Sequence, residues 1–116
     1  MKLQIDDIPE SPIKVVRLSG RLDSYTNKIF EESIEKLFEK NHHYLVFDLS
    51  GLDYINSTGL GTIMAAYQRA DLVNGFVAVC GAKGKVAMIF RITKVGLQIK
   101  IFEHEEEAVR AASEAS

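Results

Sequence analysis

Two short apolar runs separated by a helix-length segment constrain this chain more than any other feature. Tyr44 to Leu49 is interrupted only by Asp48, and Phe76 to Cys80 is apolar throughout. Such runs read as strands covered on both faces, the arrangement of a parallel sheet flanked by helices. Between them, from about Thr58 to Leu72, the residues Leu60, Ile63, Met64 and Tyr67 recur at helical spacing. Strand, helix and strand in this order predict a right-handed parallel crossover with both strands central in the sheet.

The flanks extend the same reading. Leu3 and Ile5 alternate with Gln4 and Asp6, which predicts a half-buried first strand ending at the turn material Pro9 to Pro12. Ile13 to Leu18 follows as a second strand joined by a short hairpin, with Gly20 permitting a change of direction. From Tyr25 the period becomes helical: Tyr25, Ile29, Phe30, Ile34, Leu37 and Phe38 form one stripe, and charged residues fill the opposite side. Asp23, Ser24 and Thr26 are candidate caps for that helix. After the second apolar run come a brief helix around Val86, Ile89 and Phe90, a short strand at Leu97 to Ile101, and a terminal helix starting near Glu103. Exposed Glu103 and Glu105 to Glu107 suit the start of that last helix, where the dipole favours negative charge. At 116 residues with 47% apolar positions, the chain is long enough for one core and short for two domains. The expectation is a single α/β domain over residues 1–116.

Composition narrows the functional classes. Lys and Arg number 14 against 16 Asp and Glu, a formal charge of -2, so no global field would gather nucleic acid or an anionic membrane. No apolar stretch follows Lys2, and no segment approaches the roughly 18 apolar residues of a span, so no membrane insertion and a cytoplasmic location are expected. Cys80, alone in the chain, reads as a buried small hydrophobe. Adjacent His42 and His43 without a Cys/His framework are a weak metal signal, and no metal or cofactor is expected. Gly81 to Lys85 lacks the full phosphate-loop pattern and reads as a solvated turn. A hydrolase built on Ser57 and His104 would need a nucleophile turn and a placed base, and neither motif is present.

The most distinctive segment is Asp53 to Gly61, which concentrates polar groups in a loop between a buried strand and a buried helix. Asn56 or Ser57 can cap the helix by accepting a hydrogen bond from an amide of its first turn. Gly59 and Gly61 together cost roughly 2 kcal/mol of helix propensity relative to alanine. Their presence points to close backbone approach, either to the sheet or to another protein. A phosphate on Ser57 or Thr58 would lie near the helix start, where amides and the macrodipole favour negative charge. It would add charge and hydration to a surface that otherwise suits a protein contact.

At these residues the chain resembles the anti-sigma factor antagonists of the STAS domain family. The resemblance rests on Leu18-Ser19-Gly20-Arg21-Leu22-Asp23, the strand end Asp48-Leu49, Ile55-Asn56-Ser57-Thr58-Gly59-Leu60-Gly61, and Thr93-Lys94-Val95-Gly96-Leu97 followed by Ile101-Phe102. It implies a mixed sheet with a mostly parallel core flanked by helices. It also implies partner switching: an unmodified antagonist captures an anti-sigma factor that is itself a serine/threonine kinase, and phosphorylation ends the capture. Where the family has Asp-Ser-Ser-Gly-Leu-Gly, this chain has Asn56-Ser57-Thr58-Gly59-Leu60-Gly61. The modified position falls on Thr58, with Ser57 the alternative, and the acidic position of the first loop falls on Asp23. The partner-facing residues implied are Asp23, Asn56, Ser57, Thr58, Gly59 and Gly61. Two other binding roles fit the same residues: a non-catalytic scaffold in a sensory complex, and a module regulating a non-sigma partner.

Overall fold

The computed structural model describes residues 1–116. Its elements in chain order are β1 (Lys2–Asp7), β2 (Ile13–Leu22), α1 (Asn27–Glu39), β3 (Tyr44–Ile55), α2 (Ser57–Asp71), β4 (Phe76–Cys80), α3 (Gly84–Ile92), a 3-10 turn (Val95–Leu97), β5 (Lys100–Phe102) and α4 (Glu105–Ala115). The five strands form one sheet in the order β1-β2-β3-β4-β5. β1 runs antiparallel to β2, and every other neighbouring pair is parallel. The apolar runs that dominate the sequence thus lie side by side, with β3 at the centre and β4 inside the β5 edge.

Alternation within the strands builds the two sides of the sheet. Val16, Leu18, Leu45, Phe47, Leu49, Val77 and Val79 project into the larger core, where they meet α1, α2 and α3. Phe30 of α1 packs edge-on against Phe47 with ring centroids 5.5 Å apart. The alternate residues Ile13, Val15, Val46 and Cys80 form a smaller cluster with Ala108 and Ala112 of α4. Alanines on α4 let its backbone lie close to the strands, which is why a helix with so little apolar bulk covers this side. No helix of the molecule is long and apolar enough to cross a membrane.

The structure corrects the sequence reading at several points. β2 continues through Gly20 to Leu22 instead of turning at Gly20. Gly20 has φ +89°, and the pairing of β2 with β3 shifts register on either side of it, so its freedom serves an irregularity inside the strand. Tyr25 does not join the buried stripe of α1 but is 91% exposed. The turn at residues 23–26 delays the helix until Asn27, and Asn27 takes the stripe position three residues before Phe30. Ile29 also faces solvent. β3 runs to Ile55, so Asp53 to Ile55 is strand and only Asn56 separates it from α2. The expected strand at Leu97 to Ile101 is instead a 3-10 turn followed by β5. Lys94, at φ +58°, reverses the chain there, leaving Leu97 exposed. α4 starts at Glu105, two residues later than expected, with Glu107 accepting a hydrogen bond from the His104 N–H at 3.0 Å. Glu105 itself is half-buried rather than solvated, because it reaches Arg17 on β2.

Candidate functional site

Two connections at the carboxyl ends of β2 and β3 converge on one site. The Asn56 N–H donates to the Leu22 carbonyl at 3.1 Å, which holds the end of β3 against the end of β2. From this anchor Asn56 works in two directions. Its Oδ1 accepts from the Gly59 N–H at 3.0 Å, capping α2, and its Nδ2 donates to the Ser24 hydroxyl at 3.1 Å. The cap of one helix is thereby tied to the loop that precedes another.

That loop is organised by Asp23. Its Oδ1 accepts from the backbone N–H groups of Tyr25 at 3.1 Å and Thr26 at 3.0 Å, an aspartate turn rather than a cap on α1 itself. Thr26 closes the turn: its hydroxyl accepts from the Asp23 N–H at 3.0 Å and donates to the Arg21 carbonyl at 2.8 Å. The Thr26 N–H is the main cause holding the Asp23 carboxyl below its ordinary pKa. Partial burial opposes it, while the Thr26 hydroxyl, the Tyr25 N–H and Arg21 add to it. Arg21 places its Nε 3.8 Å from Asp23 and its guanidinium 4.1 Å from the centre of the Tyr54 ring. The result is a firmly held loop that presents the exposed Ser24 and Tyr25.

Ser57 and Thr58 are the first two residues of α2, and both are exposed. Gly59 is buried behind them: a Cβ there would meet Leu22 Cγ at 2.7 Å and Ile55 Cγ1 at 3.2 Å. Leu22 is fully buried and has no room to yield. The internal-packing reading therefore accounts for Gly59. Gly61 differs, because a Cβ there would meet nothing within 4 Å. Its smallness keeps the outer face of α2 low beside Thr58, without serving this chain's own packing.

A groove of about 340 Å³ runs between α1 and α2 from this point, with Asn27, Glu31, Thr58, Gly61, Thr62 and Arg69 among its lining residues. Asn27 was not among the residues singled out in the sequence, yet it is the chain's one buried polar side chain. Its Nδ2 donates to Glu31 at 3.0 Å and its Oδ1 accepts from the Thr62 hydroxyl at 2.8 Å, which joins α1 to α2. The 3.6-residue period locates Asn27 on the buried stripe once the helix start is known. Nothing local predicts the Asn56 to Ser24 link, whose partners are 32 residues apart.

The structure thus brings Asp23, Asn56, Ser57, Thr58 and Gly61 to one surface and puts Gly59 beneath it. It does not bring His104 or the His42-His43 pair to that surface, and no cluster of His, Cys, Asp or Glu has metal-binding geometry. The chemistry available is that of an exposed hydroxyl at a helix start beside a fixed loop.

Comparison with known proteins gives a consistent result. A family model described as the STAS domain matches residues 3–108. An anti-sigma F factor antagonist of Paenibacillus polymyxa is 26% identical over 110 residues, spanning 94% of each chain. Two solved structures share the fold. An anti-sigma factor antagonist from Mycobacterium paratuberculosis superposes with a TM-score of 0.85 at 23% identity, over 96% of this chain and 92% of its own. The phosphorylated form of the Bacillus cell fate determinant SpoIIAA gives 0.73 at 18% identity, over 95% and 98%.

Proposed function

The chain belongs to the STAS domain family, and on that premise we propose that it is an anti-sigma factor antagonist switched off by phosphorylation of Thr58. The observation that carries this reading is the position of Thr58: exposed, second in α2, and next to a loop pinned to the same helix through Asn56. The whole chain acts as one STAS domain in the cytoplasm, without catalysis of its own. The antagonist relative supports the coarse function. The partner is an anti-sigma factor with serine/threonine kinase activity, bound in the unmodified state through Asp23, Asn56, Ser57, Thr58, Gly59 and Gly61. Gly59 contributes by letting α2 sit close to β2, and the others by contact.

The switch follows from local electrostatics. The Thr58 hydroxyl attacks the terminal phosphate of ATP held by the kinase, its proton passes to a base of the kinase, and ADP leaves. The product adds about -1.5 to -2 charges at a helix start that tolerates them, so the fold survives. The same charge, with its hydration, sits in the contact surface and opposes re-association. Glu31 lines the same groove, so the phosphate joins a carboxylate already there and makes this surface more negative.

Incubation with the cognate kinase and ATP, followed by peptide mass mapping and a binding assay, tests the reading. Thr58→Ala should bind and resist switching, and Thr58→Glu should bind more weakly. Phosphate on Ser57 alone would reassign the acceptor, and undiminished affinity after phosphorylation would reject the switch.

A further inference from the structure

Charge is not spread evenly along this chain. Residues 72–102, which include α3, the 3-10 turn and β5, hold five of its 14 cations and none of its 16 acidic side chains. The five are Lys83, Lys85, Arg91, Lys94 and Lys100, and none forms an ion pair within the chain. In the same region an apolar groove of about 570 Å³ lies between α3, the 3-10 turn and β5. Phe90 forms its floor at 3% exposure, Leu97 at 85% and Ile101 at 40% stand at its sides, and Arg91 and Lys94 are the charged residues that line it. The size falls within the range of ligand-binding clefts, about 300–1,000 Å³. The groove shares no residue with the Thr58 site.

We propose that this groove docks an acidic amphipathic helix of a partner protein, with apolar side chains inserted over Phe90 and carboxylates meeting Arg91 and Lys94. An apolar cleft with a cationic border is complementary to a helix with one apolar and one acidic face. The recessed position of Phe90 favours inserted side chains over a flat bilayer surface. A second copy of this chain is a poor occupant, because its acidic helix, α4, offers only alanines and Val109 as apolar residues.

Fluorescence anisotropy with a synthetic helix bearing leucine on one face and glutamate on the other tests the proposal, using the full chain. Wild-type protein should bind it in a salt-sensitive manner, and a matched leucine-lysine helix should not bind. Arg91→Glu and Lys94→Glu should each weaken binding about tenfold or more, Leu97→Ser should weaken it without salt dependence of the loss, and Thr58→Ala should have no effect. Unfolding curves check that the variants fold, and the exposed Leu97→Ser serves if a charge reversal does not. Equal binding of both helices, indifference to all three groove substitutions, or binding to phosphatidylserine vesicles but not to the peptide would overturn it. So would concentration-dependent self-association abolished by Leu97→Ser, since the groove would then hold a second copy.

Discussion

Asn56 stands where the family pattern has aspartate, and its two hydrogen bonds explain how the amide serves. As an acceptor it caps α2 through Gly59, and as a donor it holds Ser24. Asparagine and aspartate are comparable caps, so Asn56→Asp should keep the helix and add a favourable charge-dipole interaction of about 0.3–1 kcal/mol. The Ser24 link would survive by reversal, with the hydroxyl turning to donate. Asn56→Ala removes both contacts and should cost about 1–2 kcal/mol in urea unfolding. It should also loosen the Asp23 loop, which amide exchange of Tyr25 and Thr26 would register. A loss as large in Asn56→Asp as in Asn56→Ala would show that the donor to Ser24, not the cap, is what matters.

At the scale of elements, α4 is attached by few bulky contacts and one charged cluster. Arg17 donates to Glu105 at 3.1 and 2.8 Å and pairs with Asp6, while Asp48 shares a hydrogen bond with Glu105. Burial, then the hydrogen bond to Asp48, pushes the Glu105 carboxyl above its ordinary value of 4.5. Asp48 is half-buried, and that partial loss of water raises it, but hydrogen bonds from Glu105 and Ser50 hold it below 3.8. An acid with a raised folded pKa binds more protons folded than unfolded, so its contribution falls as pH rises from 4.5 towards the raised value. Asp48 acts in the opposite sense, giving stability that is lost as pH drops below 3.8. Glu105→Gln imitates the protonated acid and should match wild type in acid, then gain on it from about pH 4.5 upwards. A difference independent of pH would mean that the pair does not share a proton. None of this cluster was legible in sequence, since Asp6, Arg17, Asp48 and Glu105 come from four elements and each has an ordinary local reason to be polar. The sheet was legible, because β3 and β4 are too apolar for anything but a covered strand. The misread segments were those where a single backbone angle decides the path: Gly20 inside β2, the aspartate turn that exposes Tyr25, and Lys94 before the 3-10 turn. Apolar periodicity cannot report such angles. At the candidate site the motif singled out Thr58, Asn56 and Asp23, while Asn27 and the link from Asn56 to Ser24 became visible only through packing between elements.

For the whole molecule, the question is whether the two sides of the sheet unfold together. β3 supplies Phe47 to the larger core and Val46 to the cluster under α4, so one strand is common to both. That sharing argues for one cooperative unit over the full chain. Phe47 is fully buried against Phe30, and Phe47→Ala should cost about 3–5 kcal/mol through lost transfer energy and a residual cavity. Cys80 offers an independent reading from the other side. Its thiol is buried and pushed up to about 12, chiefly by burial with Asp48 and Glu105 adding, so the native state presents almost no thiolate at pH 8. Reaction with a thiol reagent must then proceed through an opened form, at a rate set by the opening equilibrium when reclosing is fast. If opening is global, Phe47→Ala should accelerate Cys80 labelling by roughly a hundred- to a few-thousand-fold, matching the stability lost in denaturant. Labelling that stays unchanged while stability falls would show instead that α4 lifts from the sheet on its own. The single-domain reading would then give way to a core with a detachable helix, held mainly by Arg17, Asp48 and Glu105.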